Sequence, residues 1–281
     1  MNKKDKPTID SSRDRPLPAT RWRLLSETLR YRYWDLIGVS ILTGLFYLPL
    51  VGWLLYAALT GLADPGNLLS VLLTYAAAVP LTMVAGLGEA GSLYFSKKLA
   101  WGQGASLPGD FFEGIAKNFK MFLLVYFLIG SLYLLLKLDL VSVALSSFPS
   151  WSKTVLDGLS YGLFFVFLMP LLFLAAETVI YEGSFLPLLK NGFRFTFGAI
   201  LANIPLFGAF LLPFLVYEFV PFLVAAIAAF LFASLFYFGF SAFFFTEYSH
   251  HLFDRSINRD HYPEIIRKGL AKIHENHDHD Q

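Results

Sequence analysis

The sequence predicts an all-α integral membrane protein with six transmembrane helices and basic amphipathic interfacial helices beside them. Three observations lead there. Of the 281 residues 56% are hydrophobic and only 15% charged, against about 25% charged in soluble domains. The apolar residues bunch into six blocks, about 36–60, 68–95, 120–137, 155–181, 195–216 and 220–246. A bilayer core of roughly 30 Å needs about 20 helical residues, and a transmembrane barrel would instead alternate in short strands. The Lys and Arg residues, finally, are unevenly shared among the connections. Of 22, nine precede the first block, four lie between or at the edges of blocks two and three, two between four and five, and five follow the sixth. The other side holds only Lys137 and Lys153. The positive-inside rule then places both termini in the cytoplasm, and an even number of spans agrees with that.

In chain order, residues 1–19 are polar and expected to be disordered. No apolar core follows a short basic start, so no leader peptide is expected. The membrane domain is expected over 20–248. Its first element, TRWRLLSETLRYRYW at 20–34, sets Trp22, Leu25, Leu29 and Tyr33 on one helical face, with Thr20 placed to cap the helix. DFFEGIAKNFK at 110–120 sets Phe111, Phe112, Ile115 and Phe119 opposite Lys117, Asn118 and Lys120, and Asp110 with Glu113 resembles a capping box. SFLPLLKNGFR at 184–194 repeats the pattern with Lys190, Asn191 and Arg194. Each such helix is expected in the interface, apolar face down and cations near anionic lipid headgroups. Pro49, Pro80, Pro170, Pro205 and Pro213 fall in or near spans and are expected to kink them. Residues 249–281 should form a cytoplasmic tail with a helix over 261–273, begun by Pro263, and an acidic, His-containing end.

Each pair of spans ends on a Glu with a Tyr close behind: Glu89 with Tyr94, Glu177 with Tyr181, Glu247 with Tyr248. KNFK at 117–120 corresponds to KNGFR at 190–194. The chain therefore reads as three repeats of interfacial helix plus helical hairpin.

Motifs that carry chemistry are few. GLGEAG at 86–91 has the spacing of a dinucleotide-binding turn, but that turn needs a strand before it and water-accessible backbone. Here an apolar helix precedes it. Its glycines are better explained as a small-residue surface that lets helices approach closely. A carboxylate in a bilayer is costly and is by default a functional residue with a partner to be named. Counting about 20 residues from the start of each span places Glu89 and Glu177 near the cytoplasmic boundary. Two readings stay open: each Glu pairs with a nearby interfacial Lys or Arg, or Glu89, Glu177, Lys117, Lys120, Lys190 and Arg194 together line a cytoplasm-facing polar cavity. EYSHHLFD at 247–254 aligns Glu247, His250, His251 and Asp254 on one face, a weak metal or pH-responsive candidate that a polar exit face also explains. No catalytic constellation or cofactor motif is present, so neither an enzyme nor a cofactor is expected. With no Cys, thiol chemistry is excluded. The basic stretches are too mixed with apolar residues to suggest nucleic acid.

The stretches GEAGSLYFSKKLAWGQGASLPGDFFEGIAKNFKMFLLVYFLIG at 88–130 and MPLLFLAAETVIYEGSFLPLLKNGFRFTFGAI at 169–200 resemble the YesL-like family of small bacterial membrane proteins, over about half the chain. The resemblance implies the cytoplasmic membrane of a bacterium and an accessory role near carbohydrate uptake; it supplies no catalytic residues. The expectations that follow are a non-enzymatic accessory or scaffold that docks a membrane-transport partner, anionic lipid or a second copy of itself; a transporter or channel for a small solute or ion; and, at a distance, a membrane enzyme built on Glu247, His250, His251 and Asp254.

Overall fold

A computed structural model describes residues 17–212 and 223–271. Among these the chain is helical throughout, without a strand. Five helices are long and apolar enough to cross a membrane. A short amphipathic helix, α1 (Arg21–Tyr31), leads into α2 (Tyr33–Thr60), α3 (Leu68–Ala100), α4 (Gly109–Leu145) and α5 (Ser150–Thr178). Then come α6 (Phe185–Gly198) and α7 (Ile200–Phe210). The last long helix is α8 (Leu223–Phe232), a π-helical turn (Ala233–Tyr237) and α9 (Phe238–Arg255) in sequence. The short α10 (Ile257–His261) and a 3₁₀ turn (Pro263–Ile265) close the described chain.

Local chemistry accounts for many boundaries. The hydroxyl of Thr20 accepts the amide of Arg23 and caps α1. Asn67 accepts two amides at the start of α3. Gly61, in the left-handed region at φ 69°, ends α2, a conformation that favours glycine. Asp110 does not form a capping box: its carboxylate accepts the amide of Ser106 and binds Lys98. The expected interfacial helix at 110–120 is not a separate element either. It forms the first turns of α4, which continues without a break to Leu145.

α1 turns a different face to the protein from the one expected. Arg21, Leu24, Leu25 and Thr28 face inward, whereas Trp22 is 73% exposed and Leu29 also lies outside. The helix thus has a protein-facing stripe and an outward apolar edge. In the tail, the expected helix over 261–273 is replaced, as far as residue 271, by α10, the 3₁₀ turn and further turns. The HENHDHD stretch, residues 1–16 and Pro213 lie outside the described residues.

The fifth apolar block, 195–216, is divided. The helix breaks at Ala199, and residues 213–222 lie outside the description. A break leaves carbonyls without helical partners, which lipid cannot satisfy. The amide of Asn203, fully buried, donates to the carbonyls of Phe195 and Thr196, both at 3.0 Å. Its Oδ1 accepts the Tyr248 hydroxyl at 2.7 Å.

The helices gather around two large apolar cores and a smaller one at Leu136, Phe164 and Leu168. One large core centres on Phe122, Phe173, Phe207 and Phe253, the other on Leu36, Phe95, Phe111 and Phe243. Glycines set the closest approaches. A Cβ at Gly86 would lie 2.3 Å from Tyr126, one at Gly88 2.8 Å from Phe46, and one at Gly91 2.8 Å from the Phe111 carbonyl. GLGEAG is therefore where α3 packs between α2 and α4.

One end of the bundle gathers the basic connections. Arg32 donates to the carbonyl of Ala105, Lys97 to that of Val179, and Arg21 reaches Asp254. The α2–α3 and α4–α5 turns lie at the other end.

Candidate functional site

Between the long helices lies a cavity of about 320 Å³, walled by residues of α2 to α5, α7 to α9 and the π-turn. Its surface is almost wholly apolar, and Glu89 is the only acidic or basic side chain among the described residues that line it. Position along the helices explains this. Thr82 and Glu89 are two turns apart on α3 and share its cavity face; both line the space.

Glu89 is held by a tyrosine, not by a cation. The Tyr47 hydroxyl donates to Glu89 Oε1 at 3.2 Å. Tyr47 is also a hydrogen-bond neighbour of Tyr126, and its ring stacks on Phe238 with centroids 4.6 Å apart. Among the described residues no Lys or Arg pairs with Glu89. The boundary ion pair expected from the sequence is thus replaced by a tyrosine contact. The expected polar cavity is replaced by an apolar one with a single carboxylate.

The π-turn borders this site through Ala233 and Tyr237. π-turns recur at functional sites because the extra residue redirects side chains. Here the amide of Gly239, just past it, donates to Ser40 Oγ of α2 at 2.8 Å. A Cβ at Gly239 would fall 2.1 Å from the Leu36 carbonyl, so the two helices touch there through backbone.

The other sequence-selected residues do not join Glu89. Glu177 is fully buried and accepts the Asn191 side-chain amide at 3.1 Å. Lys190 and Arg194, its expected partners, point outward from α6, as Lys120 does from α4. Lys117 pairs with Glu113 at 2.6 Å and donates to the Tyr94 hydroxyl at 3.0 Å. Of the six residues only Lys117 and Lys120 share a cavity, a second one of about 390 Å³ that Tyr181 and Glu182 also line; neither Glu89 nor Glu177 joins them there.

EYSHHLFD is not a polar exit face. Glu247 and His250 are buried, at 5% and 1% exposure, Asp254 is half-buried, and only His251 is exposed. The inward groups meet Arg21, whose guanidinium lies 3.1 Å from Asp254 and 3.7 Å from Glu247. His250 packs edge-on to Trp101. Among the described residues no group of three or more acidic, His or Cys side chains is arranged to hold a metal ion. The cluster instead ties α1 to α9. Asp254 also accepts the Asn258 side chain at 2.7 Å, and Asn258 accepts the Tyr181 hydroxyl at 2.5 Å. Burial, with the Glu177 and Asp254 carboxylates nearby, pushes the Tyr181 hydroxyl well above its ordinary pKa, so it remains a donor.

Sequence reasoning missed Tyr47, Tyr126 and Asn203. Tyr47 stands 42 residues from Glu89, and nothing in the local pattern of α2 separates it from the block's other aromatic residues. Asn203, a lone amide inside an apolar block, did carry a signal.

Comparison of the chain with protein-family models, with curated proteins and with solved structures finds no match.

Proposed function

We propose that this protein is a non-enzymatic, multi-pass protein of the bacterial cytoplasmic membrane that holds a small, largely apolar molecule in the cavity at Glu89, in the service of solute uptake. The cavity carries the proposal. Ligand sites typically have volumes of about 300–1,000 Å³, with mostly apolar walls and a few placed polar groups. The space beside Glu89 and Tyr47 has that character. Its walls come from nearly every long helix, an arrangement that suits a transporter whose helices shift around a central ligand. The link to carbohydrate uptake comes from the YesL-like resemblance alone. The basic end of the bundle supports a cytoplasmic placement of that end and of both termini. Six spans would require the 195–216 block to complete a crossing, and the threefold repeat rests on the Glu–Tyr spacing.

A second reading, an accessory protein that docks a partner or anionic lipid, is favoured by the outward-facing Lys120, Lys190 and Arg194. The two readings separate in reconstituted vesicles. A ligand-holding protein is expected to bind small apolar probes in a way that Ala229→Trp, which fills the cavity, abolishes. Probe binding that ignores this substitution refutes the cavity reading. Partner co-purification lost on neutralising the three cations would instead support the accessory role.

A further inference from the structure

We infer that the ligand of this cavity is an organic monocation, an amine or quaternary ammonium carried on an apolar body. The inference rests on the cavity reading above and names the chemistry of its occupant.

The charged part of the wall is one-sided. The Glu89 carboxylate, the Tyr47 hydroxyl bound to it and the neighbouring Tyr126 form one corner, and the other polar residues of the wall, Thr82, Tyr133, Tyr237 and Ser241, are uncharged. An anionic ligand would meet a carboxylate with no compensating cation. A neutral ligand would offer that carboxylate no countercharge, so the carboxyl would have to keep its proton; left ionised and uncompensated, a buried charge is strongly unfavourable. A cation answers it directly.

The surroundings select an organic cation over a metal ion. Hard cations such as calcium take six to eight oxygen ligands, and magnesium demands near-ideal octahedral geometry. One carboxylate and a few hydroxyls are too few. Aromatic rings, by contrast, attract ammonium groups over their faces, most strongly where water is excluded. Tyr47, Tyr126, Tyr237 and Phe238 all line the cavity, and Tyr47 stacks on Phe238. Carboxylate and rings together make a cation-binding corner.

The rest of the space says what the cation is attached to. From Glu89 the cavity follows α3 back to Thr82, a rise of about 10 Å. Beyond the tyrosine corner its walls include Leu50, Leu54, Ile129, Leu168 and Ala226. A charged head at Glu89 would therefore extend an apolar body away from it.

The test uses the full chain in lipid nanodiscs and two probes of one shape. Benzyltrimethylammonium carries the charge, and neopentylbenzene is its uncharged isostere. The cation is expected to bind more tightly than the isostere, and benzenesulfonate not to bind. Glu89→Gln is expected to weaken the cation at least tenfold and leave the isostere unchanged; Tyr47→Phe should weaken the cation less. Ala229→Trp should remove both probes. Equal affinity for cation and isostere, or a cation affinity unmoved by Glu89→Gln, overturns the cation inference while the cavity reading stands. Failure of both probes to bind, or binding untouched by Ala229→Trp, overturns the cavity reading and the inference with it. If Glu89→Gln does not fold, the ranking of the three probes on the unaltered protein still decides.

Discussion

Residues of the same type have different weights here because their surroundings differ. Arg21 and Arg23 are near neighbours on α1. Arg21 is nearly enclosed and meets Glu247 and Asp254, whereas Arg23 pairs with Glu27 at the surface. Removing one partner from a buried ion pair leaves an uncompensated charge and costs about 3–5 kcal/mol, discounted somewhat for the residual exposure of Arg21. An exposed pair contributes about 0–1 kcal/mol. Arg21→Ala is therefore expected to lower the thermal midpoint in detergent markedly, and Arg23→Ala hardly at all. Equal shifts would refute the buried role of Arg21. The same contrast marks what the sequence disclosed at this scale. Thr20 was legible as a cap because capping is local. The partner of Glu177 was not, because Lys190, Asn191 and Arg194 are close in sequence and only the phase of α6 decides which of them faces inward.

Where elements meet, packing is set by small residues against backbone. α6 lies on α5 through Gly192, where a Cβ would fall 2.4 Å from the Pro170 carbonyl. Gly158, on α5 itself, has nothing within 4 Å of its would-be Cβ. Gly192→Ala forces backbone apart, and overpacking of this kind costs about 1–3 kcal/mol. Gly158→Ala removes a helix-interior glycine and is expected to be neutral or stabilising by up to about 1 kcal/mol. Thermal unfolding of the two variants checks this, and a stable Gly192→Ala protein would contradict the contact. Hydropathy disclosed α2, α3, α4 and α5 as elements, since their length and apolarity are properties of the sequence alone. It missed the break at Ala199. The residues there are apolar enough to continue a helix, and the amide that makes the break tolerable, Asn203, acts from the next element.

At the scale of the whole molecule, the antiparallel course of α2 to α5 sorts the connections into two sets. The turns at 61–67 and 146–149 share one end; the loops at 101–108 and 179–184, with α1 and α10, share the other. The chain has no Cys, so single introduced cysteines report directly on exposure. Cysteines at Gly66 and Phe148 are expected to react with an impermeant thiol reagent from one side of sealed vesicles, and those at Gln103 and Glu182 only from the opposite side. Reaction of Gly66 and Gln103 from the same side would refute the arrangement. The basic bias toward one end was legible in the sequence because it depends on counting alone. The central cavity was not, because it requires seven helices and the π-turn to converge, and α2 and α3 bring Tyr47 to Glu89 only once they pack.

The clasp between the two ends of the described chain bears on how the protein is made. Arg21 reaches Asp254 across 233 residues, and the amide of Ala271 donates to the carbonyl of Pro18. At roughly 5–20 residues per second, a ribosome needs on the order of 10–50 s to supply those partners after Arg21 emerges. Through that interval Leu25 can already join Leu36, Phe95 and Phe111, but Arg21 waits without its carboxylates. Closing the clasp is then among the last events of biogenesis, and a nascent chain cut short before Glu247 would display an unpaired Arg21 to the quality-control machinery.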